Sequence, residues 1–213
     1  MGVTQNVANM LKARIASDQP LATIDALNSI LRLMAKWRAA VIVNTYLQHH
    51  GKTILQGPFA GMTYLDTATE GALAPRLLGT YESELHPDLL AFAATGLDCV
   101  IDVGCAEGYY AIGLARLMPQ VVVHAYDIDP KARTACAELA KLNEVSDRVM
   151  IGGAFAPDGF EAFAGRRCLV MVDAEGAELD ILQPEQSPAL AQMNIIVETH
   201  DIFKPGEIGR AHV

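Results

Sequence analysis

From Leu21 to His50 the chain carries neither proline nor glycine, and Ile24, Leu27, Ile30, Leu31, Met34, Trp37 and Val41 recur at the three-and-four spacing of one helical face. Gly51 is placed to end that helix. Residues 1–50 are therefore expected to be helical. The stripe is long for a helix packed on a small domain. It reads most simply as core, and alternatively as a contact with a second copy or a lid over a ligand. Residues 52–96 read as a connector. A short strand or hairpin at about 52–65, broken by Gly57, Pro58 and Gly61, precedes a loop and a helix from about 83 to 94.

From Leu97 the pattern changes to short apolar runs alternating with helical segments. Strands are expected at 99–103, 121–127, 148–153, 168–173 and 194–200, with helices at about 107–118 and 130–143. Strands joined this way imply parallel βαβ units, a Rossmann-like α/β sheet with helices on both faces, and a ligand at the carboxyl ends of the strands. The expected division is an N-terminal helical cap and connector, 1–96, and a cofactor-binding domain, 97–213.

Composition narrows the partners. Apolar residues make up 51% of the 213 positions and charged residues 19%, a globular balance with enough chain for a core. The formal charge of −9 offers no general attraction to phosphate backbones, so nucleic acid is an unexpected partner and a small molecule an expected one. Cys99, Cys105, Cys136 and Cys168 form no CxxC pair and no zinc-like cluster, and read as free thiols in a reducing cytoplasm. Charges interrupt every long apolar run, so neither a membrane span nor an export signal is expected.

The strongest chemical signal is Asp102-Val103-Gly104-Cys105-Ala106-Glu107-Gly108, which ends the first strand and opens a helix. Gly104 permits a sharp turn, while Ala106 and Gly108 let a ligand approach the backbone. A nicotinamide site wants G-x-G-x-x-G, and Gly104, Ala106 and Tyr109 match it poorly. A carboxylate at Asp102 is awkward beside a pyrophosphate but suits a cationic ligand. Asp127, 25 residues further on, stands near the spacing of a ribose-binding acid. Ile128 would pack on an adenine, and Asp129 would cap a helix beginning at Pro130.

VIDVGCAEGYYAIGLA resembles the first motif of class I S-adenosylmethionine-dependent methyltransferases, and VHAYDIDP their second. LVMVDAEGAELDIL resembles the D-x-E-G-x-E segment of the FkbM-type family, and IIVETH is similar to that family's fifth strand. The resemblance covers roughly 97–200. It implies O-methylation of a natural product or sugar, with Gly104, Ala106 and Gly108 at the methionine half of the cofactor. It also implies Asp127 at the ribose, the stretch 152–155 including Ala154 near the adenine, and Asp173 at the edge of the active site. Tyr81 and Glu82 would fold back, the ring shielding the sulfonium and Glu82 meeting the ammonium group; a surface turn is the equal alternative.

Methyl transfer to a hydroxyl needs in-line attack and removal of a proton. Asp173, Glu198 and His200 are the candidate catalytic residues, with His200 the preferred base. The same three groups offer Mg²⁺ a site, which is not the favoured reading. Glu175 and Glu178 read as solvent-facing charges or helix caps. Asp173-Ala174-Glu175-Gly176 stands where base-nitrogen and glutamine-amide methyltransferases carry [DN]-P-P-Y, which argues against those acceptors. Only 13 residues follow His200, too few for the helix and two further strands of a full class I sheet, which are expected to be missing. The alternative to an enzyme is a regulatory, non-catalytic nucleoside-binding module acting through its N-terminal helices.

Overall fold

A computed structural model describes residues 2–17, 21–66 and 73–200. Five strands, β1 (Cys99–Val103), β2 (Val122–Tyr126), β3 (Val149–Gly152), β4 (Cys168–Val172) and β5 (Asn194–Val197), form one sheet in the order β3-β2-β1-β4-β5. Every pairing is parallel. This is the doubly wound arrangement expected from the alternation of strands and helices. The order reverses between β1 and β4, where such sheets open a crevice. Register sets the level of the site: Val103 lies opposite both Tyr126 and Val172, so Gly104, Asp127 and Asp173 emerge together at the carboxyl edge.

β1 and β4 are buried at every position, as central parallel strands covered on both faces must be. On one face, Val100 packs with Ile112 and Leu114 of α5 (Tyr109–Leu117) and Leu139 of α6 (Pro130–Leu142). On the other, Cys99, Ile101 and Val103 pack with Phe160, Phe163 and Leu190. Helices were expected on this second face too. It carries two 3₁₀ segments, Pro157–Phe163 and Pro188–Gln192, and the single-turn α7 (Glu178–Ile181). The stretch from Gly153 to Arg167 holds Pro157, Gly159 and Gly165, which prevents a long helix there.

Asp129 caps α6 as expected, its Oδ1 accepting the Lys131 N–H at 2.9 Å with Pro130 at the first helical position. The N-terminal region forms α1 (Val3–Ile15) and α2 (Ile24–His50), ended by Gly51 at φ 63°. The expectation that its stripe is core fails at three positions: Ile24, Leu27 and Leu31 are 79%, 58% and 66% exposed, while Ile30, Met34, Trp37 and Val41 are half-buried. The carboxyl end of α2 does enter the main core through Val43, Tyr46 and Leu47. An exposed stripe is the condition that a contact with a second copy requires.

The connector is built into the same core as the sheet, through Ile54, Phe59, Met62, Tyr64, Leu77 of α3 (Leu73–Leu78) and Leu89 of α4 (His86–Ala93). The expected hairpin contracts to one antiparallel bridge, Thr53 to Thr63. A 3₁₀ turn, Ser83–Leu85, precedes α4, so the helix expected from 83 begins at His86. No described helix is long and apolar enough to cross a membrane. The segment after His200, where further strands were expected to be missing, lies outside the described residues.

Candidate active site

The turn after β1 is made by backbone that only small residues tolerate. Gly104 and Gly108 have φ of 88° and 93°, and Ala106 has 46°. The N–H groups of Gly104 and Cys105 both donate to the Tyr126 carbonyl, at 2.8 and 3.0 Å. A Cβ on Gly104 would lie 1.6 Å from the Asp173 carbonyl oxygen, so no side chain fits. One on Gly108 would meet Cys136 Sγ at 2.8 Å. The left-handed Ala106 is held by Asp127, whose Oδ2 accepts the Ala106 N–H at 2.9 Å while Oδ1 accepts that of Asp129 at 2.7 Å. Asp127 thus shapes the turn, and each of its oxygens keeps a further lone pair for a ligand.

Above this turn lies a cavity of about 270 Å³, lined by residues drawn from between Arg76 and Glu198. Asp102, Gly104 and Ala106 form its floor, Tyr81, Glu82, Tyr109 and Tyr110 one wall, and Asp173 and Glu198 the other. The structure therefore brings together seven of the residues singled out in the sequence. Tyr81 and Glu82 do fold back to the cavity, and Tyr110 Oη donates a hydrogen bond to Glu82. Glu82 is left-handed, at φ 44°. Asp127 stands behind the floor. Ile128 and Ala154, the expected adenine contacts, are exposed beyond the ends of β2 and β3, outside the cavity lining.

Asp102 is 4% exposed, and its Oδ2 has no hydrogen-bond partner among the described residues. Burial pushes this carboxyl up to about 7, opposed by the Ala111 N–H and reinforced by the charge of Asp127. Asp173 is also raised to about 7, by burial first and then by the neighbouring charge of Glu198, with His200 opposing.

Sequence reasoning missed the support beneath the tyrosine wall. Arg76 Nη1 and Glu107 Oε1 form a buried ion pair at 3.1 Å, and Tyr64 Oη donates to the same Glu107 oxygen. The guanidinium lies 4.4 Å from the centre of the Tyr81 ring. Burial and Glu107 together raise the Tyr64 hydroxyl well above its usual range. Glu107 was visible in the turn motif, but its partners come from the connector, which has no local pattern that announces them.

His200 is only half in place. Its Nε2 lies 3.8 Å from Asp173, 3.5 Å from Glu175 and 4.0 Å from Glu198, yet it does not line the cavity. Its Nδ1 is 2.9 Å from Glu178 Oε1, which also accepts the N–H groups of Ala174 and Gly176. Glu178 is 1% exposed, so it is neither solvent-facing nor a simple cap; it braces the turn after β4 and holds His200. Burial lowers the affinity of His200 for a proton, but the charges of Glu178, Glu175 and Asp173 more than offset this and raise its pKa. A histidine so placed holds its proton more tightly, so less of it is free to accept the acceptor's proton. Asp173, Glu175 and His200 also present ligand atoms within 4.8 Å of one another, a set that differs from the expected Mg²⁺ set in having Glu175 for Glu198.

Sheet order, switch-point crevice and glycine turn define a Rossmann-like α/β domain. Residues 89–162 match the family model described as ribosomal protein L11 methyltransferase (PrmA). The chain is 34% identical over 87 residues to a release factor glutamine methyltransferase of Synechocystis, covering 38% of this chain and 28% of that protein. It is 41% identical over 64 residues to a ribosomal protein L11 methyltransferase of Methylococcus capsulatus, covering 30% of this chain and 20% of that protein. The chain thus spans less than a third of the length of either relative. Among solved structures, the O-methyltransferase TomG from Streptomyces achromogenes is 16% identical, covering 79% of this chain and 69% of that one, with a TM-score of 0.45. Over these stretches the chain is similar to methyltransferases.

Proposed function

We propose that the protein is an S-adenosylmethionine-dependent methyltransferase of the FkbM type, transferring a methyl group to a hydroxyl of a small molecule. The observation that carries the reading is Asp102, a buried carboxylate with an unpaired oxygen on the floor of the crevice. An orphaned buried carboxylate is costly unless a cation completes it, and the methionine end of the cofactor supplies an ammonium group and a sulfonium. The turn fits the same ligand, since Gly104, Ala106 and Gly108 present backbone rather than side chains. Asp127 would take the ribose hydroxyls, Ile128 and Ala154 would flank the adenine, and Glu82 and Tyr81 would meet the ammonium and the sulfonium.

When bound, the cofactor supplies an electrophilic methyl group. The chain's own residues orient the acceptor oxygen and receive its proton. Asp173 lines the cavity with a carboxyl raised to about 7, so near neutral pH it is matched to proton transfer. We assign it the base, in place of His200. His200 and Glu198 then position Asp173, with His200 fixed by Glu178. Residues 173–176 read Asp-Ala-Glu-Gly, without the proline pair and aromatic ring that hold a planar nitrogen. This favours a hydroxyl over a glutamine amide or a base as acceptor.

Calorimetric titration with S-adenosylmethionine and with NAD⁺ tests the cofactor. Wild type is expected to bind the first at micromolar concentration, and Asp127→Ala to weaken it about 100-fold through loss of charge-assisted bonds and of the braced turn. Binding of NAD⁺ alone would overturn the proposal. Retention of the protein's biological effect in a Glu198→Ala, His200→Ala variant would favour the non-catalytic module.

A further inference from the structure

The four cysteines share no sequence motif and are free thiols, yet the parallel register sets two of them side by side. Cys99 opens β1, Cys168 opens β4, and the two are direct partners across the strands. Neighbouring strands lie about 4.8 Å apart, inside the range of about 4.4–6.8 Å between Cα atoms that a disulfide accepts. Both side chains enter the face covered by Phe160, Phe163 and Leu190, and their sulfurs are 2.8 Å apart. Even two carbon atoms, which are smaller, rest at about 3.5–4.0 Å when not bonded. The thiols are therefore closer than two side chains that merely fill space.

The residues just before the pair hold it in register. The Asp98 N–H donates to the Arg167 carbonyl at 2.9 Å, and Asp98 Oδ2 accepts the Arg167 N–H at 2.8 Å. An ion pair at 2.9 Å between Arg167 Nη2 and Asp98 Oδ1 closes this clasp. Both cysteines are buried, but the Asp98 and Arg167 side chains are 40% and 64% exposed, so one residue separates the sulfurs from solvent. A small oxidant needs only the first residue pair of the two strands to open. The hydrogen bond from Cys168 lowers the Cys99 pKa, with Arg166 adding to this and burial opposing it, which favours Cys99 as the reacting thiolate.

We propose that Cys99 and Cys168 are a site of oxidative modification, closing to a disulfide that ties β1 to β4 when hydrogen peroxide reaches them. The Cys99 sulfur attacks one peroxide oxygen, the O–O bond breaks, and a sulfenic acid and one water form. The Cys168 sulfur then displaces that hydroxyl, making the S–S bond and releasing a second water. The two thiols together lose two electrons, and the peroxide is reduced to water. The bond lies at the amino edge of the sheet, the length of β1 away from Gly104 and Asp173, and joins the strands between which the order reverses. It does not depend on the methyltransferase reading.

The test treats the full chain with hydrogen peroxide, blocks the remaining thiols, and maps tryptic peptides by mass spectrometry without reduction. Trypsin leaves Cys99 and Cys105 on one peptide, so fragmentation reads which of them is joined to Cys168. The expected product is a Cys99–Cys168 linked peptide, lighter by two hydrogens than its separate halves and lost on treatment with dithiothreitol. The partners stand 69 positions apart, so the bond restricts a long loop of the unfolded chain. The melting temperature of the oxidised chain is accordingly expected to rise by about 5–15 °C. Cys99→Ala oxidised in the same way should show no rise, which sets aside any effect of oxidised methionines. Sulfenic or sulfinic acid at Cys99 without a linked peptide, or Cys168 joined to Cys105 or to a second chain, overturns the proposal. So does a linked peptide accompanied by a lower melting temperature. Should Cys99→Ala fail to fold, the presence or absence of the linked peptide in wild type decides the matter.

Discussion

The Gly104→Ala variant is expected to lose cofactor binding altogether and to be less stable by roughly 3–5 kcal/mol, read from urea unfolding and calorimetry. The added methyl would sit 1.6 Å from the Asp173 carbonyl oxygen, and neither side can yield cheaply. Gly104 is pinned by its N–H bond to Tyr126 at 2.8 Å, and Asp173 by its own to Val103 at 3.0 Å. Movement would break the register of β1 with β2 or β4 at the level where the site is assembled. The left-handed φ of 88° adds strain for any side chain. Gly153→Ala is the control, because a Cβ there meets nothing within 4 Å; its stability should change by less than about 0.5 kcal/mol. If Gly104→Ala binds S-adenosylmethionine normally, the glycine is only a turn former and the reading of the motif fails.

That contrast shows which parts of the site were legible in the sequence. Gly104, Asp127 and Asp173 each follow a short apolar run, and parallel register carries the ends of such runs to one edge. Two periodicities and a glycine were therefore enough to place them. The Arg76, Glu107 and Tyr64 cluster was invisible, because Tyr64 and Glu107 stand 43 positions apart and meet only through the packing of the connector. Glu178 was visible but misread: a charged residue beside a glycine turn looks solvated until the turn closes over it. The stripe of α2 failed for a related reason. Periodicity at Ile24, Leu27 and Leu31 shows that one face is apolar, and says nothing about what covers it. The 3₁₀ segments on the second face were legible in principle, since the prolines and glycines that shorten them are local.

Asp102 carries the prediction in which stability and function move in opposite directions. Its carboxyl titrates near 3.8 in the unfolded chain and at about 7 in the fold, so between those values the native state holds the extra proton. Stability therefore falls as pH rises through that window and is lowest above about 7. Full linkage over three pH units corresponds to about 4 kcal/mol, an upper bound, since each unit is worth about 1.4 kcal/mol. Asn removes the titration but leaves a buried amide to satisfy, a cost of roughly 1–3 kcal/mol. Without ligand, Asp102→Asn is then expected to be more stable than wild type at pH 8 by roughly 1–3 kcal/mol, and to lose that advantage near pH 4. S-adenosylmethionine should reverse the order at pH 8. It stabilises wild type by supplying the missing cation, whereas the variant binds it about 100-fold more weakly for want of the charge pair. Thermal unfolding of both proteins at pH 4 and pH 8, with and without S-adenosylmethionine, reads all four terms. A variant less stable than wild type at pH 8 without ligand would mean that the fold itself needs the carboxylate, and the buried charge would no longer mark the site as one built for a cationic cofactor.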